Sequence, residues 1–104
     1  MTDIWRSFVA QRILHHLGFP VLFHECTVWQ ERNDHCLHRD FLDEVPGYQH
    51  NHAIREALVG LDFGGETSIP KLLESCYECL IRNGWVGAEE EGLVTTWLAD
   101  LAKL

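Results

Sequence analysis

DIWRSFVAQRILHHLG, residues 3–18, decides how the rest of the chain is read. Its apolar residues Ile4, Trp5, Phe8, Val9, Ile13, Leu14 and Leu17 recur at intervals of three and four, the spacing that stacks side chains on one face of a helix. Thr2 or Asp3 suits the start, because a short side-chain oxygen accepts from the free N–H groups of a first turn. Gly18 suits the end, since glycine takes the left-handed turn that closes many helices at no steric cost. One wide apolar stripe of this kind needs a matching face elsewhere in the chain to bury it.

The clearest match lies near the other end. Ser68 and Pro70 form a helix start, and Leu72, Leu73, Cys76, Tyr77, Leu80 and Ile81 make a second stripe that Gly84 terminates. Beyond Gly87, the acidic residues Glu89, Glu90 and Glu91 suit the positive end of a further helix carrying Leu93, Val94, Trp97, Leu98 and Leu101. The C-terminal half therefore reads as a helical hairpin. A shorter helix is expected over Asn51 to Leu61, with Ile54, Leu58 and Leu61 on one face, and DFGGETS (62–68) is the loop that separates it from the hairpin.

Between the first helix and these lies a different pattern. Phe19 to Phe23 is an apolar run broken by Pro20, and HECTVWQE (24–31) alternates β-branched or aromatic residues with polar ones. A short strand or hairpin near 20–30, on a sheet edge because of the proline, is the expectation. ERNDHCLHRD (31–40) has no apolar period and reads as a polar loop, followed by a helical turn over Phe41 to Glu44 and a break at Pro46 and Gly47. The expected fold class is mainly α with a small β element (α+β): a long N-terminal helix, that strand or hairpin, the polar loop and the C-terminal helical hairpin, in a single domain over residues 1–104.

Length and composition agree with one globular unit. The chain has 104 residues, is 46% hydrophobic and 23% charged, and carries four tryptophans, enough apolar material for one core. Eight basic residues against sixteen acidic ones give a net charge of -8, with both halves negative. Nucleic acid and anionic membrane surfaces bind through clustered Lys and Arg, so neither is an expected partner. No leader-like start and no apolar run of membrane-spanning length is present, and four unevenly spaced cysteines do not make a secreted disulfide framework. A cytoplasmic protein with reduced thiols is expected.

All seven histidines lie between residues 15 and 52, together with Cys26 and Cys36. His24, Cys26, His35 and Cys36 form one conceivable zinc set, although no pair has the spacing of a zinc finger. Cys76 and Cys79 interleave with the leucines of their stripe and read as core packing, since a free thiol behaves as a small hydrophobe. The densest polar group is Gln30, Arg32, Asn33 and His35 with Asp40 beyond. These are the preferred ligand contacts, unless they cap the loop and bond Asp40 or Glu44. No phosphate-binding glycine loop, dinucleotide fingerprint or nucleophile elbow occurs.

Taken in order, DIWRSFVAQR, VWQERNDH and RDFLDE, followed by YECLIRNGWVG and EEEGLVTTWLADL, resemble the C-terminal, acceptor-side region of STELLO-type glycosyltransferases. The resemblance implies a GT-A-like transferase in which another half holds the nucleotide sugar, commonly through a DxD metal motif. No DxD occurs here, so that half is expected to come from a partner or an upstream segment. With it would come the divalent metal and the nucleotide sugar, and this chain is expected to hold no cofactor of its own. In such a transferase Asp3 is the candidate catalytic base, Trp5 a candidate for sugar stacking and Arg6 for diphosphate contact. Asp3 as a helix cap and Trp5 as core filling are the alternatives from the residues themselves. Two other functional classes stay open: a non-catalytic interaction domain, dimeric or docked on another protein, and a zinc-stabilised domain.

Overall fold

The computed structural model describes residues 2–104. It contains four α-helices: α1 (Thr2–His16), α2 (Leu37–Val59), α3 (Ile69–Arg82) and α4 (Leu93–Leu101), with a 3₁₀ turn at Ala88–Glu90 before the last. α1 and α3 end as their glycines foretold. Gly18 and Gly84 take φ of +81° and +72°, and each is followed by the same pair of bonds: Phe19 N–H to Leu14 O and Gly18 N–H to His15 O, then Trp85 N–H to Leu80 O and Gly84 N–H to Ile81 O. This is the Schellman closure, which satisfies carbonyls that a helix end leaves open.

Three helices bury their stripes against one another. Trp5, Val9 and Ile13 of α1, Ile54 and Leu58 of α2, and Leu72, Cys76 and Leu80 of α3 form one cluster with Val86. Within each helix the buried residues are four apart, so each presents a single narrow ridge. Full burial of a large apolar side chain is worth roughly 1.5–3 kcal/mol, and these residues are the main source of stability. α4 packs on α3, and Thr95 Oγ1 donates to Glu74 Oε1 at 2.9 Å, giving the expected hairpin. Its start is later than the sequence suggested: Glu89 and Glu90 lie in the 3₁₀ turn, and the helix proper opens at Leu93.

The expected β element is not there. Among the described residues no strand occurs, and 19–36 runs in irregular, exposed conformation. A strand needs a paired neighbour, and a lone hairpin is marginal without a face to pack on; this chain offers no second strand. Helix direction explains why so long a connection exists. Trp5 meets Asn51, and Arg12 meets Leu58, a constant offset that makes α1 and α2 run in the same direction. Parallel neighbours need a crossover as long as the helices themselves. Residues 19–36 are that crossover.

The polar stretch is also shorter than expected. α2 begins at Leu37 and continues through Pro46 and Gly47, joining what the sequence suggests as a turn and a separate helix. Pro46 removes the bond to the carbonyl four residues back. That residue, Leu42, is exposed, so water can take the orphan carbonyl. Asn51 is fourteen residues beyond Leu37, so the first half of α2 rises about 20 Å past the level of Trp5 at 1.5 Å per residue. Leu37, Phe41, Leu42 and Tyr48 stand exposed on this overhang.

Candidate functional site

Arg6 is the one basic side chain at a long groove between α1, α3 and α4. The groove has a volume of about 710 Å³, and its bed is apolar, formed by residues such as Val9, Ile13, Leu73, Leu93 and Trp97. Arg6 and Glu90 are the charged residues in its lining. Arg6 is placed there by helical geometry, one position past the buried Trp5 and three before Val9, so it faces the edge of the buried ridge.

The surroundings of Arg6 are polar and ordered. Its Nε donates to the Tyr77 hydroxyl at 3.2 Å, and this contact, with Glu90 and Asp3 nearby, holds its guanidinium firmly protonated. Asp3 lies three residues earlier on α1, at a spacing that puts the two side chains on one face. The Ile4 backbone N–H holds the Asp3 carboxyl below the usual carboxylate range, so it is ionised at neutral pH. One cation, steadied by a phenol, thus lines the groove with Glu90, and both the Glu90 and Asp3 carboxylates act on it. An ionised carboxylate can accept a proton from a hydroxyl, and a guanidinium can bind phosphate oxygens.

The other predicted residues are distributed differently. Trp5 is buried, 4% exposed, and its indole N–H donates to Asn51 Oδ1 at 2.8 Å; its ring fills the core. Gln30, Arg32 and Asn33 are exposed on the crossover, and from that segment only Phe19 reaches the groove lining. His35 Nδ1 lies 3.3 Å from Asp40 Oδ2 in the first turn of α2, the local pairing that the sequence offered as the alternative to ligand contact. The structure therefore places Asp3 and Arg6 one turn apart on α1 and leaves the Gln30 group exposed on the crossover.

His24 contacts its neighbour, with Nδ1 2.6 Å from the Glu25 carbonyl oxygen, and Cys26 and Cys36 are exposed free thiols. Among the described residues no three His, Cys, Asp or Glu side chains converge as a metal site. Burial pushes the Cys76 thiol up to about 12 and raises Cys79 as well, as for packed, protonated sulfur.

Tyr77, Glu90 and Trp97 were not singled out for function by sequence reasoning. Tyr77 reads as one more member of an apolar stripe, and only its position at the stripe's edge puts the hydroxyl beside Arg6. Glu90 is 84 residues from Arg6 and reads as a helix-end charge. No local signal joins them.

Among the described residues, no helix is long and apolar enough to cross a membrane. A sequence model described as STELLO glycosyltransferases matches residues 1–104, the whole chain. No curated protein and no solved structure matches it.

Proposed function

The chain belongs to the STELLO glycosyltransferase family, and we propose that it is the acceptor-side module of a sugar transfer, completed by a nucleotide-sugar-binding half from a partner or an upstream segment. The observation that carries this reading is Arg6, which lines the groove with Tyr77 and Glu90 and is acted on by Asp3 of the same helix. In this reading Asp3 takes the proton from an acceptor hydroxyl as its oxygen attacks the anomeric carbon. The bond from that carbon to the nucleoside diphosphate breaks, and the diphosphate departs with the electron pair. Arg6 faces the charge that develops on the leaving oxygens, with Tyr77 fixing its direction. Gln30, Arg32, Asn33 and His35 on the crossover, with Asp40 in the first turn of α2, are a second set of acceptor contacts. The divalent cation and the donor sugar belong to the other half.

Acceptor binding can be tested without that half. Backbone amide shifts of the labelled chain are followed while glucose- and mannose-based oligosaccharides are added, and separately UDP-glucose. The reading expects an oligosaccharide to shift Arg6, Tyr77 and Glu90, the Arg6→Ala variant to lose that response, and UDP-glucose alone to give none. Oligosaccharide shifts absent at Arg6, or unchanged in Arg6→Ala, would overturn it.

A further inference from the structure

The crossover is unusual for what it leaves uncovered. Phe19, Val21, Leu22, Phe23, Val28 and Trp29 are all exposed, Phe23 at 91% and Trp29 at 85%, within eleven consecutive residues. Beside it lies an apolar groove of about 710 Å³ that no described part of the chain fills. A cavity of roughly 150 Å³ takes one benzene-sized group, so this groove has room for about four large side chains. The first part of the arm, Phe19 to Phe23, has no charged residue, matching the apolar bed, and Glu25 is the one acidic side chain between it and Trp29.

Within one chain the crossover beyond Phe19 takes no part in the groove lining. The groove is lined by α1, α3, α4 and the preceding turn, and no residue of α2 contributes. The crossover must end at the start of α2, which packs against α1 and α3 away from the groove. Phe19 alone reaches the rim, immediately after the Gly18 turn that releases the chain from α1. We infer that two copies of this chain pair by exchange, each laying its arm, Phe19 to Trp29, in the groove of the other.

The areas suit such a pair. An aromatic side chain buries roughly 150–250 Å², so Phe19, Phe23 and Trp29 alone offer on the order of 450–750 Å², to which Val21, Leu22 and Val28 add. A stable interface buries about 800 Å² per partner, and the exchange supplies two arms and two grooves. The exchange is closed and twofold, so it stops at the dimer. It stands independently of the acceptor reading because sugar and nucleotide take no part in it.

Charge opposes the pairing at long range, since each copy carries a net charge of -8. Salt screens that repulsion while leaving apolar contact intact, so the dimer tightens as salt is added. Analytical ultracentrifugation of the full chain across a range of salt is the first measurement, with dimer as the expected result. Phe23→Ser with Trp29→Ser removes the arm, and Leu14→Glu places a charge in the groove. Each variant is expected to be a monomer with unchanged helical circular dichroism. Mixed together, they are expected to form a heterodimer through the one intact arm and the one intact groove. A wild-type monomer at every salt concentration would overturn the inference. So would a dimer that survives the arm variant, or two folded monomeric variants that fail to pair on mixing.

Discussion

Trp5 and Asn51 hold α1 and α2 in register: the indole N–H donates to the Asn51 side-chain oxygen at 2.8 Å across 46 positions of sequence. A buried tryptophan needs a partner for its single donor, and a parallel helix pair needs something to stop it sliding. One bond serves both needs.

Asn51→Leu strands the indole donor inside the core, at a cost of about 1–3 kcal/mol. Asn51→Asp keeps an acceptor and is expected to lose less. Urea denaturation followed by tryptophan fluorescence compares the two, and equal losses would remove the bond from its role in register.

Arg12 closes the other end of the pair. Its Nε and Nη2 donate to the carbonyls of Leu58 and Leu61, both at 2.8 Å, and its guanidinium lies 4.4 Å from the centre of the Phe63 ring. Gly60, with φ of -72°, ends α2 without a left-handed turn, and the Leu58 carbonyl also accepts the Leu61 backbone N–H at 3.3 Å. Lysine cannot reproduce a planar fork, so Arg12→Lys should cost about 1.5–3 kcal/mol, the worth of hydrogen bonds to a charged group. Hydrogen exchange should quicken at the end of α2, and unchanged exchange there would contradict the clamp.

The four thiols should divide into two pairs. Cys26 and Cys36 are exposed and Cys76 and Cys79 buried, so a thiol reagent in native buffer should modify two cysteines, and all four only after unfolding. Because the Cys76 pKa is raised from 9 to about 12 by burial, the unfolded chain releases its thiol proton first as pH rises. Stability is therefore unaffected by this group below about pH 9 and falls between there and about pH 12. Cys76→Ala should flatten that alkaline limb in thermal melts, and an equally steep limb in the variant would refute the assignment.

Glu66 sets the opposite limb. Its Oε1 accepts the backbone N–H groups of Ser68 and Thr67, at 2.9 and 3.0 Å, and Oε2 lies 3.3 Å from Lys71 Nζ. The Ser68 bond, then Lys71, lowers its pKa. A carboxyl lowered in the folded state contributes stability above its unfolded value of about 4.5, and loses it as pH falls through the folded value. Glu66→Gln should be less stable than the parent at neutral pH and less sensitive to acid, as measured by the pH dependence of the melting temperature.

How much of this was legible follows from the range over which each signal acts. Periodicity and glycine stops are local, because they depend on residues within one or two turns. The spans of α1 and α3, their Gly18 and Gly84 closures and the buried cysteines could therefore be read directly. The same local reading misled at residues 20–30, where alternation suits a strand but no second strand exists to pair with it, and at Pro46, where an exposed preceding turn lets the helix continue.

The chain by itself determined which faces must be buried, since each stripe of four-spaced apolar residues is unstable in water whatever lies opposite it. Only the tertiary structure decided that α1 and α2 run in parallel, which forces an exposed crossover, and that Arg6 meets Tyr77 and Glu90. Those relations join residues far apart in sequence, and helix direction and packing, not the identity of neighbours along the chain, bring them together.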